Sequence, residues 1–545
     1  MPLHRHLPNH YWNRSGAGPR PARDPLVPQP QVKPSSRPSF RKLSSIGQSW
    51  LLSAFKPAIL LTTIITPATA KTPCDELIHL TIPKATITQA KILTTGEPHT
   101  VGTVNNLPPF CRVTLTSRPT ADSEINIEIR MPVNGWNHDF EANGNGGWTG
   151  SINARSLERS LFDGFATAMT DTGHQGGSAR FALGHPEKII DFGYRAVHEM
   201  TVAAKLVIEA FYGEKPEHSF WNGCSAGGKQ GLKEAQRYPA DYDGILAGSP
   251  AANWIGRATQ AIWTAQAVHT DEASDIPPAK YPLIHRAVLD ACDALDGVKD
   301  GLLTDPTRCK FNPAVLQCKD ADESTCLTAS QVEAARKIYS PSINPRTNKP
   351  IFSGLAPGSE LGWGTWAGPQ PLSIAYDHFR YVVFKDPNWD FRSLNFDSDI
   401  ALAEQIDNGT INALDPDLKA FFARGGKLLQ YHGWSDPQIS PGNSVEYYNS
   451  VVEAMGGRAK IDGSYRLFMV PGMAHCGGGE GPNQFGARDA LQRWVKDGRA
   501  PDRIITSGSH NAVITERPLC PYPQVAKYTG KGSTDNAANF VCRNP

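Results

Sequence analysis

The chain has 545 residues, with 54 Lys+Arg against 53 Asp+Glu for a formal net charge of +1, and is 40% hydrophobic and 20% charged. So balanced and apolar a composition excludes an intrinsically disordered chain, and the absence of a basic excess removes the electrostatic basis for nucleic-acid binding. The length admits one large domain with an insertion, or two to three domains of about 150 residues each.

The first forty residues are rich in Pro, Arg, His and Ser, lack apolar periodicity and read as disordered. Arg41 and Lys42 then precede an apolar run whose last 14 residues, between Lys56 and Lys71, carry no charge. That is short of the ~20 residues a membrane span needs. The run ends in Ala68-Thr69-Ala70, a small-residue cleavage pattern. Residues 1–70 are therefore expected to be an extension with a secretory signal, and the mature chain to begin near Lys71 with no membrane segment. An apolar anchor is the alternative.

All ten cysteines (Cys74, Cys111, Cys224, Cys292, Cys309, Cys318, Cys326, Cys476, Cys520 and Cys542) follow that point. An even count in an exported chain indicates five disulfides. Local spacing points to Cys292–Cys309, Cys318–Cys326 and Cys520–Cys542. No Cys-x-x-Cys pair supports a zinc or thioredoxin-like site.

From Asp75 to Met131, HLTIPKATIT, CRVTLT and INIEIRM alternate and are β-branched, as strands do. Strand–loop–helix units follow, indicating an α/β fold. Phe165–Asp171 reads as a buried strand, and His198–Gly213 as a helix stopped by its glycine. HSFWNG is a short strand, and GGKQGLKEAQRYP a helix closed by Pro239. Lys427–Gly433 and Tyr465–Gly472 are expected to be strands, each followed by a helix, the last of them in NQFGARDALQRWVKDG. Residues 250–424 break this alternation with four cysteines, acidic turns and aromatic clusters. They are expected to form an inserted lid between two parts of one catalytic domain, 71–249 and 425–545.

Between a strand and a helix, Gly223-Cys224-Ser225-Ala226-Gly227 matches Gly-x-Ser-x-Gly. A sharp turn with small neighbours exposes the Ser225 hydroxyl, and the next helix start offers N–H groups to an oxyanion, that of Ala226 included. An ordinary Gly-rich turn with an N-cap serine fits the bare pattern equally well. Partners appear in the order of an α/β-hydrolase, acid and histidine each after a later strand. Asp436 follows the strand ending near Tyr431, and His475 the strand ending near Val470. His475 would take the serine proton and Asp436 orient the imidazole. Asp436 as a helix N-cap, and His432 or His510 as surface or core histidines, are the bland alternatives. Cys224 precedes the serine and Cys476 follows the histidine; if Ser225 and His475 are in reach, the two cysteines are near one another and free to pair, the others being taken by the local pairs and Cys74–Cys111.

In the expected lid, Cys292–Leu302 sets Asp293, Asp296 and Asp300 around two glycine turns. With the Val298 and Leu302 carbonyls these offer oxygens that suit Ca2+; on its residues alone a solvated acidic turn is the slightly simpler reading. Gly358–Phe384 is aromatic-rich, and Trp366, Arg380 and Phe384 are the candidates to line a phenolic pocket, against the equal alternative of a lid core.

FWNGCSAGGKQGLKEAQRYPADYDGILAGSPAANW resembles the nucleophile segment of the tannase and feruloyl esterase family, and YHGWSDPQISP and PGMAHCGGGEGP resemble its acid and histidine segments. The likeness spans nearly the whole mature chain. It implies an α/β-hydrolase core with a large lid, a Ser225–His475–Asp436 triad, a Cys224–Cys476 bridge and hydrolysis of aromatic-acid esters. ANGNGGWTGS resembles the family's Gly-rich oxyanion loop, implying Gly146, with Gly147 next, as the second donor beside Ala226. The acidic loop resembles the family's structural calcium site position by position. No organic cofactor is implied.

The expectation is thus a secreted or periplasmic serine esterase acting on feruloyl or galloyl esters. Terephthalate monoesters, acyl transfer to an alcohol or amine, and a non-catalytic calcium-stabilised binding protein are the competing readings.

Overall fold

A computed structural model of the chain describes residues 71–94, 107–510 and 513–545, and the expected export signal lies outside them. The alternating N-terminal runs form β1 (Ala85–Leu93), β2 (Phe110–Ser117) and β3 (Ile125–Pro132), an antiparallel meander with Ile87 opposite Leu115 and Leu115 opposite Ile127. The first run is strand only from Ala85 onward. Asp75–His79 is a 3-10 turn, and Lys84 at φ +60° turns the chain into β1.

Parallel structure begins with β4 (Asp139–Asn143), α1 (Ala154–Phe162) and β5 (Ala166–Thr170). After α2 (Pro186–Ile190), helix α3 (Ala196–Tyr212) packs Met200, Ala203, Ala204 and Val207 inward and ends at Gly213, whose φ of +76° suits glycine. Next come β6 (His218–Cys224), α4 (Ala226–Arg237) and β7 (Gly244–Gly248).

The chain then leaves the sheet for α5 (Trp254–Val268), α6 (Tyr281–Cys292), α7 (Ala329–Tyr339) and the small hairpin of β8 (Ser342–Ile343) with β9 (Pro350–Phe352). It returns as β10 (Lys427–Gly433), directly beside β7 and parallel to it, followed by β11 (Tyr465–Val470). The nine strands are ordered β1-β2-β3-β5-β4-β6-β7-β10-β11.

Residues between β7 and β10 add nothing to this sheet and bury an apolar cluster of their own, including Ile262, Ile284, Ile338, Trp363 and Phe379. At about 1.5–3 kcal/mol for each fully buried large side chain, such a cluster gives the insertion an apolar core of its own. The last helix is Ala487–Asp497; Gln484–Phe485, expected inside it, is instead an edge strand of a three-stranded antiparallel sheet with Ile504–His510 and Val513–Leu519.

All five sulfur pairs are present: Cys74–Cys111, Cys224–Cys476, Cys292–Cys309, Cys318–Cys326 and Cys520–Cys542.

Candidate active site

Open α/β sheets collect chemistry at the carboxyl ends of their parallel strands. Ser225 sits there, in the turn between β6 and α4, at φ +64° and ψ −121°. A non-glycine residue in that region is strained and persists only when its surroundings dictate it. Here they do: Ser225 N–H donates to Gly248 O at 2.9 Å, and its carbonyl accepts from Lys229 and Ala251 N–H. The flanking glycines are steric requirements. A Cβ on Gly223 would stand 2.4 Å from Gly227 O, and one on Gly144 would stand 2.6 Å from Gly227 Cα.

That last contact brings the Gly-rich loop after β4 against the serine turn. Gln230 of α4 pins it, accepting from Asn145 N–H at 3.0 Å and donating to Asn145 Oδ1 at 3.2 Å. Gly146 has open space where a Cβ would be, and Gly147 holds φ +49° with Ile374 of the insertion beside it. Gln230 is a positioning residue that sequence reasoning missed; its only signal was its place in the second turn of the helix after the serine.

Asp436 follows β10 and is fully buried. Its Oδ1 accepts from Gln438 and Ile439 N–H at 2.8 and 3.0 Å, and its Oδ2 lies 2.7 Å from His475 Nδ1. A second histidine shares that oxygen: His432 Nε2 is 3.1 Å from Asp436 Oδ2 and 3.1 Å from Ile439 O. Since both neighbours of Nε2 are acceptors, this nitrogen carries the proton, and His432 Nδ1 accepts from Ser444 Oγ at 2.7 Å. Burial pushes the Asp436 carboxyl up, but His475 and His432 outweigh it and hold the group well below the usual carboxylate range. His432, set aside in the sequence as a surface or core histidine, is thus a buried partner of the acid.

His475 leaves β11 through a loop laced to the acid turn. Trp434 N–H donates to Val470 O and Ser435 N–H to Met473 O, and a Cβ on Gly433 would stand 2.1 Å from Met473 O. Cys476, at φ +63°, bridges to Cys224 with a Cα–Cα distance of 6.0 Å. The residue before the serine and the residue after the histidine are therefore covalently joined. With Nδ1 donating to Asp436, His475 keeps Nε2 free to accept a proton.

Two buried cations lie close by. Lys229, one turn after Ser225, sits over the Phe192 ring, and burial lowers its amine to about 7. Arg257 of α5 donates to Gln438 O; burial lowers its guanidinium to about 10, with the Asp436 charge opposing.

In the acidic loop, Asp293 is buried and accepts from Asp300 and Gly301 N–H at 3.2 and 3.0 Å. Gly297 and Gly301, at φ +92° and +78°, curl the chain around it. Burial, together with the charges of Asp300 and Asp293, pushes the Asp296 carboxyl up. Crowded carboxylates with too little positive charge fit a hard divalent cation, although Arg517 already pairs with Asp300. Val298 and Leu302 donate their N–H groups to Asp296 and Asp300, turning within the same loop.

The pocket candidates divide. Trp366 is fully buried in the insertion's own core rather than on an open wall. Phe384 packs against that core, stacked on Trp389. Arg380 is tied to Asp377 at 2.8 Å and lies over the Tyr376 ring. Trp366 thus belongs to the insertion's core, whereas Phe384 and Arg380 stay half-buried at its edge.

A family model described as Tannase and feruloyl esterase matches residues 111–543. An uncharacterised esterase of Xanthomonas campestris pv. campestris is 37% identical over 532 residues, covering 88% of this chain and 92% of that protein. A probable feruloyl esterase B-2 of Neosartorya fischeri is 35% identical over 458 residues, 79% of this chain and 86% of its own. The crystal structure of feruloyl esterase B from Aspergillus oryzae superposes with a TM-score of 0.81 at 29% identity, over 86% of this chain and 99% of that one. The sheet and its flanking helices are those of an α/β-hydrolase, as expected from the sequence.

Proposed function

Because the chain belongs to the tannase and feruloyl esterase family and is a carboxylic ester hydrolase, we propose that it cleaves esters of aromatic acids outside the cytoplasm through an acyl-enzyme on Ser225. The observation that carries this reading is the join at the site: Asp436 orients His475 at 2.7 Å, and the Cys224–Cys476 bridge holds the histidine loop to the serine turn.

Ser225 Oγ attacks the ester carbonyl while His475 Nε2 takes its proton. Ala226 N–H and the Gly146 N–H, with Gly147 next to it, stabilise the oxyanion that forms. Collapse expels the alcohol, which leaves with the proton from His475. Water then attacks the acyl-enzyme, giving its proton to His475 and freeing the acid and Ser225. Asp436, already ionised and fully hydrogen-bonded, stabilises the imidazolium in both half-reactions.

The relatives' names support feruloyl esters as the first substrate class, and the family's description adds the galloyl esters of tannins as the second. Asp293, Asp296 and Asp300, with the Val298 and Leu302 carbonyls, would hold a structural calcium ion that cross-links the insertion and takes no part in the chemistry. Five disulfides support an oxidising compartment, and among the described residues no helix is long and apolar enough to cross a membrane.

The test is a hydrolysis panel of methyl ferulate, methyl gallate, a terephthalate monoester and a short-chain nitrophenyl ester, with S225A as blank. Preference for an aromatic acid ester that vanishes in the variant is expected. Turnover of the nitrophenyl ester alone would overturn the substrate class, and full turnover by S225A would overturn the mechanism.

A further inference from the structure

On the helix that begins at the nucleophile, and away from the triad, one side chain has no explanation in the esterase chemistry. Glu234, in the last turn of α4, is 1% exposed; no cationic or amide donor reaches either carboxylate oxygen, and its polar neighbour is another carboxyl, that of Asp241. Leaving an ionised carboxylate buried and unpaired costs several kcal/mol. The lysines nearby do not relieve it. Lys229 Nζ points to Gly193 O, and Lys205 Nζ donates to the backbone carbonyl of Asp241.

Two other side chains face the same spot. His198, on α3, lies with Nδ1 2.6 Å from Asp241 Oδ2, and its ring stacks on Tyr238 at 3.8 Å with an interplanar angle of 6°. Asp241 stands in the turn between α4 and β7, where its N–H donates to Tyr238 O. One ligand atom from each of His198, Glu234 and Asp241 lies within 4.8 Å of the others, and among the described residues no other trio of His, Cys, Asp or Glu does this.

We propose that His198, Glu234 and Asp241 bind a divalent transition-metal ion of the zinc class, clamping α3 to the far end of α4. One imidazole nitrogen and two carboxylate oxygens form a donor set that Zn2+ accepts at about 2.0–2.2 Å, so small side-chain rotations close the set around one ion. An imidazole ligand separates this preference from that of the acidic loop, whose all-oxygen donors suit calcium. The partial exposure of His198 gives the ion a way in, while the buried Glu234 offers it a carboxylate oxygen. The ion's role is structural: it fixes the helix whose other end carries Ser225.

The experiment uses the mature full-length chain in excess Ca2+, stripped of transition metals by dialysis against dipicolinate. ZnCl2 is titrated by calorimetry, and Co2+ is added separately to read its ligand-field absorption. Wild type is expected to bind one Zn2+ that H198F and D241N lose, with affinity reduced at least about 100-fold, beyond the loss of an outer partner. Its melting temperature should rise with Zn2+, and that of H198F should not. H198F keeps an aromatic ring stacked on Tyr238, and near-ultraviolet circular dichroism checks its fold. Equal zinc uptake by wild type and H198F would overturn the proposal. So would the absence of zinc binding by the folded wild type; a protonated-carboxyl infrared band that disappears in E234Q would then place a shared proton where we place the ion.

Discussion

Asp436 is the residue on which the site's electrostatics converge. Two histidines and two backbone N–H groups hold its carboxylate ionised in a fully buried position. Asp436→Asn should preserve the fold and lower kcat about 10⁴-fold, because the amide leaves His475 in the wrong tautomer. His432→Phe should cost about 10- to 100-fold in kcat, the equivalent of one hydrogen bond to a charged group, with KM little changed. An unaltered kcat in that variant would reduce His432 to a packing residue. At this scale the placement of the candidate residues was legible in the sequence: Ser225 in a turn between strand and helix, Asp436 and His475 each just past a strand. The bond from His432 to the acid was not, since a buried histidine bonded to an acid looks in sequence like any other strand-end histidine. Trp366 stayed open between pocket wall and core because a buried aromatic serves either, and its packing in the insertion favours the core.

Among elements, the glycine loop after β4 fits closely against the serine turn. Gly144→Ala would drive a methyl group to 2.6 Å from Gly227 Cα, so backbone must move. The expected outcome is a loss of about 1–3 kcal/mol in stability together with a fall in kcat, read by denaturant melts and steady-state kinetics. A second junction ties the insertion to the histidine loop. His285 of α6 lies 2.7 Å from both Glu360 and Glu480, and Glu360 also accepts from Tyr339 Oη and Gly358 N–H. Burial opposes protonation of His285, but the two carboxylates outweigh it and raise the imidazole to about 9. An unfolded histidine titrates near ~6.5. A raised folded pKa stabilises fully below the unfolded value and loses that stabilisation as pH rises through the folded one. The melting temperature should therefore carry a downward component between about pH 6.5 and 9 that His285→Gln lacks; parallel pH profiles would sink this assignment. Strands and the amphipathic α3 were readable from their periods. Helix α5 was not, because residues on nearly every side of it are buried, so no polar stripe marks its faces.

On the scale of the whole molecule, the insertion is one excursion between two neighbouring strands, and its acidic loop is the proposed calcium brace. Removal of Ca2+ should lower the melting temperature while leaving the far-ultraviolet spectrum native at room temperature; an unchanged melting temperature after verified metal removal would contradict the brace. The architecture of the parallel sheet was legible from the strand–helix alternation. The C-terminal antiparallel strands were not, because Ile504–His510 and Val513–Leu519 carry polar and apolar residues on both faces and so lack a one-sided pattern. The central claim is that Ser225 carries the acyl group, and the most direct test is trapping. Wild-type protein is mixed with excess methyl ferulate, acid-quenched within the first turnover, digested and weighed by mass spectrometry. The account predicts a feruloyl adduct on the peptide containing Ser225, absent from S225A and accumulating in the absence of Asp436's carboxylate only in proportion to the slowed acylation. Steady hydrolysis by S225A, or an adduct on a different residue of the wild type, would contradict it.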